Sequence, residues 1–209
     1  MKKYLKYIIT IAAVGLLAYK SVYFKKLSEV KAKTATAFDA AGFTQKIWSE
    51  QLNTKLDSAI ELTTLIKAIE AAPADAFNRH TNALAIGNYR NAMVKLNAEV
   101  KQVNEDDVLV QLPFADSMLT VKVATEFVYG NAIRDASRLV DVKDFPNTND
   151  LNSISEELNK TVRTTILKPF KQAVKAGDKV VVTGAIEINK AHLNWSEPEI
   201  IPVRLQIVN

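Results

Sequence analysis

The 209-residue sequence contains no cysteine. That removes structural disulfides, thiolate metal sites, thiol nucleophiles and attachment of a lipid to cysteine. Histidine is almost missing as well: His80 and His192 lie far apart, and neither has an HExxH-like setting, so no metal site is expected. The six glycines never fall into the GxGxxG or GxxxxGK spacing that exposes a row of backbone amides to phosphate. There is no GxSxG elbow, so nucleophilic hydrolysis of that type has no signature here. The acidic groups Glu105-Asp106-Asp107 and Asp141 with Asp144 lack the EF-hand ladder of oxygen ligands and read as solvated turns. No cofactor and no metal are expected. Paired-carboxylate catalysis stays open only because acidic residues are many and nothing singles out a pair.

The body of the chain also lacks net charge of either sign. Six lysines and no acid fall within residues 1–26, which leaves 21 basic and 23 acidic residues for the remainder. The basic balance therefore belongs to the N-terminal segment and argues against nucleic acid as a partner of the folded part. A nucleic-acid surface would interleave exposed aromatics with lysine and arginine. Tyr89-Arg90 with Met93 and Lys95 is one thin example.

The N-terminal segment, MKKYLKYIITIAAVGLLAYKSVYFKK, holds 13 uncharged residues from Tyr7 to Tyr19 between Lys6 and Lys20. It is short for a span of ~20 residues. Snorkelling lysines and the tyrosines at 4, 7, 19 and 23 extend its reach, so an uncleaved transmembrane signal-anchor with the body in the periplasm is the first expectation. A cleaved signal peptide is the alternative, although no small-x-small site stands out.

What the chain does contain is hydrophobic periodicity. Phe43, Ile47, Leu52, Leu56, Ala59, Ile60, Leu62, Leu65, Ile66 and Ile69 predict two helices, over about 44–56 and 57–70, with the proline at 73 ending the run. From residue 83 the pattern alternates instead. YRNAMVKLNAEVKQV, VLVQL and SMLTVKVATEFVYG predict three strands, the last running to the glycine at 130. Leu151, Ile154, Leu158, Val162, Ile166 and Phe170 then predict a helix over about 150–174, and KVVVTGAIEIN and PEIIPVRLQIV two further strands. The order predicts an α+β fold: a leader over 1–26, a small helical domain over 27–82, and an OB-like antiparallel β-barrel over 83–209 with an inserted helix.

The stretch GNAIRDASRLVDVKDFPNTND, between strand and helix, concentrates glycine, charge and turn residues. Arg134 and Asp135 are adjacent, so their side chains need not face each other. A structural reading has Arg134 forking onto Asp144 or backbone carbonyls, with Asn149 or Asp150 capping the next helix. A binding reading takes Arg134, Asp135 and Asn147 with Trp48 and Trp195 as candidates, because sugar sites combine aromatic faces with planar polar groups.

FDAAGFTQKIW, YGNAIRDA, DFPNTNDLNSISEELN, AGDKVVVTGAIEIN and PVRLQI together resemble the DUF2291 family of predicted periplasmic lipoproteins. The family's Gly-x-x-Leu/Ile-Arg-Asp-Ala element is matched by Gly130, Ile133, Arg134, Asp135 and Ala136. Its Asp-Phe-Thr-Asn-Gln-like stretch and the helix ending Leu-Asn are matched by Asp144, Phe145, Asn147, Leu158 and Asn159. Pro146 stands where Thr is usual, and Thr148 where Gln is usual. The resemblance implies a small helical domain joined to an OB-like barrel. It also implies an accessory or binding role in the cell envelope, linked to sugar ABC transporter components.

Overall fold

The computed structural model describes residues 2–21 and 38–208. Helix α1 (Lys2–Ser21) belongs to a unit of its own, Met1–Phe38, while Asp39–Asn209 forms the second compact unit. Among the described residues no helix is long and apolar enough to cross a membrane, which overturns the expected transmembrane signal-anchor. The cause is the spacing of charge. The uncharged run of 13 residues reaches about 20 Å at ~1.5 Å per residue, against ~30 Å of hydrocarbon, and four lysines lie within the helix itself.

The second unit opens with α2 (Ala40–Ile47), a π-helical turn (Trp48–Leu52) and α3 (Asn53–Asp57) as one continuous rod. Asp39 starts it, its carboxylate accepting from Gly42 N at 2.9 Å. The π-turn answers to the sequence. The buried apolar positions step from Ile47 to Leu52, five residues, and an i→i+5 turn returns both to one face where an α-turn would not.

A two-residue strand β1 (Ile60–Glu61) precedes α4 (Leu62–Ala71), whose Leu62, Leu65, Ile66 and Ile69 are fully buried. Pro73 does end α4, and it also begins α5 (Pro73–His80), because a missing N–H costs nothing in a first turn.

Five longer strands follow: β2 (Tyr89–Val103), β3 (Asp107–Phe114), β4 (Ser117–Ala124), β5 (Lys179–Asn189) and β6 (Glu199–Val208). Alternation sets their faces. Val108, Val110 and Leu112 on β3, and Leu119, Val121 and Val123 on β4, point into the core with polar neighbours outward. The fifteen-residue β2 serves two partners: residues 89–99 pair with β5 and residues 99–103 with β3, a register shift between Val100 and Gln102 marking the changeover. The order β2-β3-β4-β6-β5 has β5 pairing back onto β2. The pairings are antiparallel except two. β1 lies parallel to β2, and β6 parallel to β4 through Lys122↔Glu199 and Val123↔Ile200. A wholly antiparallel sheet was expected; a parallel partner for β4 requires a long connection, and residues 125–198, β5 included, supply it.

That connection holds α6 (Ala132–Ser137), a 3₁₀ turn (Val142–Asp144), α7 (Thr148–Thr161), a second π-turn (Val162–Leu167) and α8 (Lys168–Ala173). The π-turn again shifts the buried stripe to a five-residue step, so Leu167 is buried where Ile166 was expected. One apolar core joins α4 and α5 to β2–β6 and to Phe170 and Val174 of that connection.

Candidate functional site

Strand β4 was expected to run to the glycine at 130 but ends at Ala124. Thr125 N and Glu126 N both donate to Asp106 O, at 2.9 and 3.1 Å, which draws the backbone off the ladder. The chain reaches Gly130 at φ 77°, a left-handed conformation suited to glycine, and turns into the short α6.

Helix α6 is buried along its whole length. Arg134 and Asp135, each 5 % exposed, pair with each other after all: Nε and Nη2 of Arg134 both lie 2.8 Å from Asp135 Oδ1. Neither contact runs to Asp144. The remaining arm of the fork, Nη1, donates to Leu151 O at 3.0 Å and pins the first turn of α7. Asp135 Oδ2 accepts from Leu84 N at 3.3 Å, and the Asp135 carbonyl accepts from Asn82 Nδ2 at 2.9 Å. Taking two charges out of water is costly unless the remaining donors and acceptors are met, and here both ions are met by backbone as well as by each other. Two further bonds close the joint. Asn159 Nδ2 donates to Gly130 O and Ser155 Oγ to Asn131 Oδ1, both at 2.9 Å.

Asn147 caps α7: its Oδ1 accepts from Asp150 N at 3.0 Å, in place of the Asn149 or Asp150 cap expected. Phe145 meets Phe43 of α2 edge to face, ring centres 5.5 Å apart. Asp144 ends the 3₁₀ turn and faces solvent. Trp48 is half-buried in the first π-turn. Trp195, between β5 and β6, packs against the core, and its buried Nε1 has no hydrogen-bond partner among the described residues. Of the five binding candidates the fold brings together Arg134 and Asp135; Asn147, Trp48 and Trp195 lie on separate elements.

Beside this joint the structure opens a polar cavity of about 490 Å³, lined by Asn78, Thr81, Asn82, Arg90, Arg138, Asp141 and Asp144 among others. Two arginines converge there on one residue. Arg90 donates from Nε to Thr81 Oγ1 (3.1 Å) and from Nη2 to Thr81 O (3.3 Å); Arg138 Nη2 donates to Thr81 O (2.7 Å) and to Arg79 O (3.0 Å). The acceptors at Arg79 and Thr81 lie at the C-terminus of α5, where carbonyls lack intrahelical partners and cations are favoured. Arg138 reaches them from the C-cap of α6 at φ 56°, a left-handed position that glycine or asparagine takes more cheaply. Neither arginine forms an ion pair among the described residues, and each guanidinium has five N–H donors, more than these bonds use. Sequence reasoning singled out Arg90 for another purpose and missed Arg138. The signal it left is a helix that ends without glycine.

The family model described as a predicted periplasmic lipoprotein, DUF2291, matches residues 12–206. The chain belongs to the DUF2291 family. Membership makes this an extracytoplasmic protein. The lipoprotein half of the family's description finds no cysteine in this DUF2291 sequence to carry a lipid. A crystal structure of an OB-fold protein from Thermotoga maritima is similar to the chain at 20% identity and a TM-score of 0.71, covering 82% of this chain and 99% of that one. That likeness shows an OB-fold-like, mixed α/β architecture. No curated relative matches the sequence.

Proposed function

We propose that this DUF2291 protein is an extracytoplasmic accessory module that binds a small polar solute in the cavity beside α6 and carries out no covalent chemistry. The observation that carries the reading is the pair of arginines, Arg90 and Arg138, held at the cavity wall by Thr81 without a carboxylate partner. A volume of about 490 Å³ suits a sugar-sized solute, since small-molecule sites span ~300–1,000 Å³. Asn78, Asn82 and Asp144 add planar amides and a carboxylate able to bind hydroxyl groups. The Arg134–Asp135 lock serves this reading indirectly: it fixes Asn82, Leu84 and the start of α7, and so the cavity's frame. A place beside a sugar ABC transporter rests on the family resemblance alone, and we further propose that the cycle of strand pairings closes as an OB-type barrel.

The test is a thermal-shift screen of the full chain against neutral sugars, polyols and their acidic derivatives, repeated with Arg90→Gln. At least one solute should raise Tm in the native chain and fail to do so in the variant. A screen with no response, or a response that Arg90→Gln leaves intact, contradicts the proposal, as does turnover of any bound solute.

A further inference from the structure

Arg138 lines a second cavity as well. It is smaller, about 200 Å³, and its charged lining is of one sign: Lys55 from α3, Arg79 from the end of α5, and Arg138, with the His80 imidazole beside them. Ser58 and Ser137 add hydroxyls, and no carboxylate is among the lining residues. Only Arg79 has an ion-pair partner among the described residues, Asp75 one turn back on α5, and that pair is largely exposed. An exposed i,i+4 pair of this kind contributes little and leaves the guanidinium free to turn. Like charges gathered on a concave wall repel one another, and a counter-charge entering the cavity relieves the repulsion.

The structure assigns this smaller cavity to an oxyanion, a phosphoryl or carboxylate group, carried by the solute whose polar part fills the adjoining larger cavity. Three observations converge on it. The first is the wall of Lys55, Arg79 and Arg138, with no acid among its described lining residues. The second is the left-handed backbone of Arg138, a conformation strained for arginine that glycine would relieve. The third is spare donor capacity. Arg138 Nη2 is committed to Arg79 O and Thr81 O, and the other guanidinium N–H groups make no bond to the described residues. Arginine and lysine together are a common answer to oxyanion recognition, the fork giving direction and the ammonium a compact charge. The inference rests on the solute-binding reading of the larger cavity and names the charged end of that solute.

Inorganic phosphate and sodium acetate are the probes, each titrated into the full chain with sodium chloride at equal ionic strength as the reference. Binding is read by calorimetry and by Tm, in the native chain and in Lys55→Gln and Arg79→Gln. Lys55 and Arg79 do not line the larger cavity, so these variants keep any neutral-solute response. The expected result is saturable binding of one probe in the native chain, weakened about tenfold or more in each variant, as befits loss of one charge-assisted contact. Phosphate without acetate indicates a phosphoryl group, and acetate without phosphate a carboxylate. Stabilisation by phosphate that is equal in native chain and variants is general exclusion of the salt from protein surface, and overturns the assignment. So does saturable binding of neither probe. A neutral solute that binds and responds to Arg90→Gln while both anions fail overturns this inference and leaves the proposed function standing.

Discussion

Two arginines a few residues apart in sequence, one buried and one exposed, differ in what answers their charge. Arg134, within α6, has a carboxylate at 2.8 Å and a helix carbonyl at 3.0 Å, and is 5 % exposed. Arg138, at the end of the same helix, is exposed and has only backbone carbonyls. The first is electrically complete and dry, so its contribution is to hold α6, the 82–84 segment and α7 in register. The second has donors left over and faces two cavities. The lesson is that a charged motif need not be the site: its ionic core builds the frame, and the arginine just past it keeps donors to spare.

Breaking the lock should have the largest effect. Arg134→Ala leaves Asp135 buried with half its partners, and unfolding in urea should show a loss of about 3 to 5 kcal/mol, the range for opening a buried ion pair from one side. Asn159→Ala removes the donor to Gly130 O inside the same joint and should cost about 1.5 kcal/mol by the same measurement, the upper end for one net hydrogen bond, because the donor is buried while Gly130 is open to water. Asn147→Ala, a cap at the exposed start of α7, should cost about 1 kcal/mol, seen as a modest fall in Tm.

On the cavity side the expected change in stability is smaller still. Arg138→Gly relieves a left-handed backbone strain of roughly 1 to 2 kcal/mol and loses two hydrogen bonds of about 1 kcal/mol each. Unfolding should therefore stay within about 1 kcal/mol of native while the solute response disappears.

The smallest effect is expected at Glu187 on β5. Partial desolvation and, after it, the nearby Asp135 carboxylate push its carboxyl above the ordinary range. The residue still presents much of its surface to water, so the burial contribution is discounted. A raised carboxyl keeps its proton longer in the folded state, so stability falls as pH rises from the ordinary glutamate range through the folded value. Glu187→Gln should remove that decline, measured as Tm between pH 4 and 7.

The sheet was largely legible before any coordinates, because each strand alternates on a half-buried face, and Leu119, Val121 and Val123 declare theirs without ambiguity. The long helix after β4 was legible too, apart from one step. Stripes read at three and four residues passed over Ile47 to Leu52 and moved Leu167 to Ile166, since a π-turn is invisible to a period of 3.6. Where β4 ended was hidden because TEFVYG has a strand's composition, and only the carbonyl of Asp106, distant in sequence, diverts it. The N-terminal segment misled for a plainer reason: flanking tyrosines do not lengthen an apolar run whose lysines fall inside the helix.

The joint was found as a motif but its internal pairing was not. Adjacent side chains on a helix diverge, and a long arginine turns back to its neighbour only when both are enclosed. The cavity was not legible at all. Arg90 and Arg138 are 48 positions apart, and what unites them is Thr81, a residue with no sequence signature.

Equilibrium urea unfolding of Arg134→Ala and Arg138→Gly beside the native chain tests the central claim most directly. The structure predicts a loss of about 3 to 5 kcal/mol for the first and a change within about 1 kcal/mol for the second. Equal losses, or the reverse order, would contradict the division between a structural lock at Arg134 and an available site at Arg138.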